Sequence, residues 1–109
     1  MAAKYTLVPA KGGKWCFRLL AGTGETVLAS QTYSSRSGAR RGVTSVQNHC
    51  GSDGCFERKT AKNGKAYFVL KARNGQVIGK SEMYNSTGAR ENGIKAVKKA
   101  GKAKTIAAP

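Results

Sequence analysis

Two stretches of the chain alternate apolar and polar positions with a period of two. In 14–21, Trp15, Phe17, Leu19 and Ala21 share one face, and in 65–72, Ala66, Phe68, Leu70 and Ala72 hold the matching places. Shorter segments at 4–9, 26–32, 55–60 and 77–83 complete two three-stranded meanders. They are separated by Gly12-Gly13, Thr23-Gly24, Asn63-Gly64 and Asn74-Gly75, which supply the positive φ that tight hairpins need. After Tyr33 and Tyr84 the period lengthens to that of a helix. Ser35 and Ser86 are placed as N-caps, and Ala39, Gly42, Val43 and Val46 form a stripe matched by Arg90, Gly93, Ile94 and Val97. Gly51 and Gly101 stand where C-cap glycines belong, and 104–107 reads as one last short strand.

The parallel is a duplication. Residues 5–49 align with 56–100 at a constant offset of 51, with identities such as Phe17/Phe68, Leu19/Leu70, Ser30/Ser81, Tyr33/Tyr84, Gly42/Gly93 and Val46/Val97. The chain is long enough for one ordinary domain, here built from repeats 4–54 and 55–107. One repeat alone buries little surface, so the two should complete each other. The expected fold is α+β: tandem β-β-β-α-β units in one antiparallel sheet with exchanged terminal strands and two helices on one face. Residues 55–60 would close the first unit while opening the second, and 104–107 would return to 4–9, giving a monomer with an internal pseudo-two-fold axis. Gly42 and Gly93 interrupt their stripes at about 1 kcal/mol each relative to alanine. Close approach of each helix to the aromatic face of Phe17 and Phe68, beside Tyr33 and Tyr84, would compensate, which makes these six residues packing determinants.

The segment AYFVLKARNGQVIGKSEMYNSTGARENGIKAVKKAG (66–101), and more loosely KWCFRLLAGTGETVLASQTYSSRSGARRGVTSVQN (14–48), resembles the repeat of the YegP-like family of small bacterial tandem-repeat proteins of uncharacterised function. The resemblance spans nearly the whole chain. It implies a duplicated β-β-β-α-β unit in one sheet with exchanged terminal strands, and it implies no reaction or ligand. The chain departs from the family pattern in three ways: Cys16 stands where arginine is frequent, Thr23 precedes Gly24 where asparagine is usual, and the charge is more basic.

That charge changes the picture most. Twenty Lys and Arg against five acids leave +15 at pH 7. Residues 1–50 hold seven bases and one acid, and the remainder thirteen and four, so the whole domain is basic. Such a field attracts polyanions. No apolar run is long enough for a signal peptide or membrane span, so a soluble cytoplasmic protein without membrane association is expected.

Catalysis has little to draw on. The carboxylates Glu25, Asp53, Glu57, Glu82 and Glu91 are dispersed, and the single histidine, His49, falls at a helix end where a C-terminal cation is unremarkable. Cys16, Cys50 and Cys55 with His49 reach the count of a structural zinc site but lack its spacing, and Ala100, Gly101 and Ile106 replace His49, Cys50 and Cys55 in the second repeat. Free thiols, a non-enzymatic protein and no metal or cofactor are expected. Nucleic-acid binding, weak and without sequence preference, is the leading expectation. Its candidates are Arg36, Arg40 and Arg41 on the first helix, Lys95, Lys98 and Lys99 on the second, and Arg18, Tyr67 and Lys71 on the free sheet face, where an aromatic can stack bases. The alternative is an interaction or self-association module using Leu20, Tyr67 and Val69 of that face.

Overall fold

The computed structural model describes residues 3–107. Its strands are β1 (Lys4–Pro9), β2 (Trp15–Leu20), β3 (Thr26–Ser30), β4 (Phe56–Thr60), β5 (Ala66–Lys71), β6 (Val77–Lys80) and β7 (Ile106–Ala107), and its helices α1 (Arg36–His49) and α2 (Thr87–Ala100). One seven-stranded sheet runs β4-β5-β6-β3-β2-β1-β7. The repeats meet at its centre, where Ala29 pairs with Lys80 and Ser30 with Gly79. The last strand crosses to the first repeat as expected, Ile106 opposite Tyr5, but runs parallel to β1, so the sheet is mixed. Residues 55–60 do not close the first repeat: β4 pairs with β5 alone and forms an edge. The join falls instead to β3 and β6, the inner strands of the two meanders.

Hairpin chemistry follows the glycines. Gly12, Gly13, Gly24, Gly64 and Gly75 have φ between 74° and 90°. Asn63 and Asn74 reinforce two turns, each side-chain oxygen accepting from the amide two residues on at 3.0 Å. Strands β3 and β6 end at Ser30 and Lys80, short of 32 and 83. There Ser30 Oγ and Ser81 Oγ accept from the amides of Phe17 and Phe68 at 2.8 and 3.0 Å, taking the place of a backbone carbonyl. Pairing resumes at single bridges, Trp15 with Tyr33 and Ala66 with Tyr84. These lay each tyrosine ring in stacked orientation over Phe17 or Phe68, with centroids 6.2 and 6.3 Å apart.

Both helices start as expected: Ser35 Oγ accepts from Gly38 N at 3.0 Å and Ser86 Oγ from Ala89 N at 3.1 Å. At their ends Gly101 holds the expected cap position of α2, whereas Gly51 does not cap α1. Cys50 caps α1 and Gly101 caps α2, both right-handed, and Gly51 has no positive φ. Gly101 is needed for space, because a Cβ there would lie 2.7 Å from Sγ of the buried Cys50. Ala39, Gly42, Val43 and Val46 of α1, and Gly93, Ile94, Val97 and Ala100 of α2, are buried against Tyr5, Leu7, Phe17, Leu19, Leu28, Phe56, Phe68, Leu70 and Ile78. The helical glycines answer to close approach. A Cβ on Gly42 would lie 2.7 Å from Phe17 Cε2 and 2.8 Å from Tyr33 Cζ, and one on Gly93 would lie 2.6 Å from Tyr84 Cζ. In the second repeat the three nearest atoms all belong to Tyr84, so Phe68 stands farther from Gly93 than Phe17 does from Gly42.

Candidate nucleic-acid interface

The sheet has one face under the helices and one open. Strand pairing strings Thr6, Arg18, Ala29, Lys80, Val69 and Glu57 across six strands of the open face. This face is less available than the sequence indicated. Lys71 is hydrogen-bonded to Glu57, which Lys59 also approaches at 3.5 Å, and these contacts, Lys71 first, hold the Glu57 carboxyl below the usual carboxylate range. Tyr67 is half-buried with the Lys80 ammonium 4.8 Å from its ring centroid, and Val69 is only 6% exposed. The expected strip of Leu20, Tyr67 and Val69 is therefore closed at its centre. Arg18 alone of the three sheet-face candidates is exposed with no ionic partner among the described residues.

On the helix side the repeats diverge. In the second repeat Arg58 of β4 reaches Glu91 of α2 in a two-pronged pair at 2.8 Å and Asp53 at 3.3 Å. Lys98 closes the cluster on Asp53 at 3.0 Å, and Arg90 approaches Glu91 at 3.4 Å while donating to the Lys59 carbonyl at 3.2 Å. Hydrogen bonds from Arg58 hold Glu91 below its ordinary range, and those from Lys98 and then Arg58 do the same for Asp53. Lys98, a candidate contact, is thus engaged within the molecule and also lies 5.7 Å from the Phe56 ring centroid. Lys95 and Lys99 are exposed without such partners among the described residues.

All the ion pairs among the described residues fall between Asp53 and Lys98. On α1, Arg36, Arg40 and Arg41 are exposed and meet no carboxylate there. Arg36 lies 4.7 Å over the Trp15 ring, a cation–π contact that holds the guanidinium at the start of the helix. The offset of 51 places Thr87, Glu91 and Asn92 at the corresponding points of α2. Arg36, at the first helical position, opposes the macrodipole, and Arg40 and Arg41 lie beyond the first turn, so none of the three serves the helix through its dipole. Lysines in the last turn of α2, Lys98 and Lys99, do.

The remaining candidate chemistry is separated. Nδ1 of His49 donates to the Ser45 carbonyl at 2.7 Å, one turn back on the same helix. Cys50 is buried against Gly101, and burial pushes its thiol pKa up, the reverse of an activated nucleophile. Cys16 lies on the open face and Cys55 ends a 3-10 turn before β4; all three thiols are free. The Arg58–Glu91–Asp53–Lys98 cluster escaped the sequence reading because its members lie up to 45 residues apart. A periodic pattern flags the apolar partner of a strand or helix, and carries no record of which charges meet.

The arrangement defines a two-repeat α+β protein with one open sheet face. Its sequence matches the family model "Domain of unknown function (DUF1508)" twice, over residues 10–57 and 61–107, and the chain belongs to that family. It is 45% identical over 106 residues to a UPF0339 protein of Shewanella oneidensis, covering 97% of this chain and 96% of that one. It is 42% identical over 106 residues to UPF0339 protein YegP of Escherichia coli K12, again covering 97% and 96%. The solution NMR structure of yegP from E. coli, described as a protein of unknown function, superposes with a TM-score of 0.93 at 42% identity, over 99% of this chain and 93% of that one. The solution NMR structure of a Shewanella oneidensis UPF0339 protein gives 0.92 at 44% identity, over 99% and 92%. The YegP-like resemblance and the duplicated fold are thereby established. No helix among the described residues is long and apolar enough to cross a membrane.

Proposed function

We propose that this protein is a non-enzymatic polyanion binder that holds nucleic-acid phosphates through its helix layer, weakly and without sequence preference. The observation that carries this reading is the trio Arg36, Arg40 and Arg41, exposed on the N-terminal half of α1 with no carboxylate partner among the described residues. The helix dipole gains nothing from them, whereas guanidinium groups recognise phosphate oxygens in paired geometry. Lys95 and Lys99 on α2 extend the positive layer. Arg18 contributes only to the field from the opposite face, and the internally paired Lys71 and Lys98 contribute least.

Fluorescence anisotropy with a short labelled DNA or RNA tests the reading. Binding is expected at about 50 mM salt and should vanish by about 300 mM, since displaced counterions make phosphate contacts steeply salt-dependent. Emission of Trp15, the single tryptophan, should change in parallel, because Arg36 lies over its ring. No binding at low salt removes the proposal, and tight salt-resistant binding replaces it with a specific site.

A further inference from the structure

At the C-terminal end of α2 a cavity of about 740 Å³ opens between the last helical turn, the segment leading to β7 and the turn joining β2 to β3. Its volume lies within the roughly 300–1,000 Å³ of small-molecule sites. Alanines, among them Ala96 and Ala103, line it, and among the described residues its charged groups are Lys99, Lys102 and Lys104, with no carboxylate in the lining.

The hydrogen-bonding capacity of the wall is one-sided. Tyr5 Oη donates to the Gly101 carbonyl at 2.6 Å and Gln47 Nε2 to that of Ala103 at 2.8 Å. The carbonyls of Ala100 and Thr105 accept from the amides of Ala103 and Tyr5, both at 2.9 Å. Four carbonyls of this segment, those of Ala100, Gly101, Ala103 and Thr105, are thus occupied by the protein's own donors. Among the described residues the three ammonium groups, by contrast, have no hydrogen-bond or ionic partner. Macrodipole compensation does not explain them all, since Lys102 and Lys104 lie beyond the helix. Nor does the fold require them: Asn48, Gly51 and Asp53 stand at the equivalent places of the first repeat.

We propose that this cavity binds a small amphipathic organic anion, its single phosphate or carboxylate headgroup held by Lys99, Lys102 and Lys104 and its short aliphatic body lying on the alanine-lined wall. The site shares Lys99 with the positive layer of the nucleic-acid reading, while Lys102 and Lys104 belong to the cavity alone and the arginines of α1 lie outside it. The test is an NMR titration of the ¹⁵N-labelled full chain with octyl phosphate, octanoate and octanol. The two anions should shift amides within 21–23 and 96–105, the tighter of them naming the headgroup, and octanol should not. Lys102→Ala with Lys104→Ala should weaken binding about tenfold or more, as expected for lost charged hydrogen bonds. Thr23→Trp, a change on an exposed turn, should block it, and Arg40→Glu with Arg41→Glu should leave it as in wild type. The proposal is overturned if neither anion moves these amides, if octanol binds as well as the anions, if the lysine and Thr23 variants bind like wild type, or if the α1 variant weakens binding equally.

Discussion

At their N-terminal halves the two helices carry Arg36, Arg40 and Arg41 on α1 and Thr87, Glu91 and Asn92 on α2, at equivalent positions of one repeat. The backbone is the same, down to the serine caps and the buried glycines, but the electrostatics are reversed. Glu91 is locked to Arg58, whose counterpart in the first repeat is the buried Leu7. Where the fold needs an ion pair, the second repeat has one; where the fold needs only packing, the first repeat has leucine underneath and leaves its arginines outside. Duplication thus acts as an internal control. Features present in both copies serve the fold, while those confined to one copy call for another explanation.

The largest test concerns a shared feature. Gly42→Leu and Gly93→Leu should each prevent stable folding or lower the melting temperature steeply, because no rotamer avoids the tyrosine beneath. Alanine separates the repeats. Gly42→Ala must displace the fully buried Phe17 as well as Tyr33, while the three atoms nearest a Cβ on Gly93 all belong to the half-buried Tyr84. Thermal or urea denaturation should show the first costing about 1–3 kcal/mol, as overpacking does, and the second less. Equal losses would break the comparison.

Arg40→Glu copies the second repeat into the first and, lying beyond the first turn where the helix dipole acts most strongly, should change stability by no more than about 0.3 kcal/mol in low salt. A larger loss would mean that Arg40 has an unrecognised structural partner. A smaller effect lies in the acid limb of the stability profile. Asp53, Glu57 and Glu91 have folded-state pKa values held below their ordinary range by Lys98, Lys71 and Arg58. Their contribution is present above the ordinary carboxylate pKa and is lost as pH falls through the lowered one. Being exposed, these pairs contribute little, so hydrogen exchange is the sensitive readout: below about pH 4, amides of β4 and the start of α2 should lose protection before those of β1 and α1. At alkaline pH the sign is opposite for Tyr5, whose buried phenol is raised above the ordinary value of 10.0. Its stabilisation is complete below that value and declines as pH climbs past it.

Periodicity and punctuation made the elements, the duplication and the helix-facing stripe legible, because alternation, turn glycines and cap serines are local signals. The order of strands was legible only in part. Nothing local distinguishes a strand that closes its neighbour from one that forms an edge, so β4 was placed wrongly, and a two-residue strand such as β7 carries no signal for its direction. The candidate site was legible as a composition and not as a place. Lys71 and Lys98 look like Arg40 and Arg41 in sequence, and only the fold brings Glu57 and Asp53 to the former pair. The cavity at the end of α2 likewise depends on the β2–β3 turn arriving from more than seventy residues away, so that Thr23 and Lys99 line the same space.

The most direct test sets two variants of equal charge side by side. Arg36→Thr with Arg40→Glu and Arg41→Asn gives α1 the residues of α2; Lys4→Glu with Arg18→Glu changes the open sheet face, and both lower the net charge by the same four units. Anisotropy with labelled single-stranded DNA at about 50 mM salt should show the helix variant binding about tenfold or more weakly, with a shallower salt dependence, and the sheet variant binding close to wild type. Equal weakening in both would mean that only the overall field matters, and selective loss in the sheet variant would place the contact on the opposite face and contradict the account.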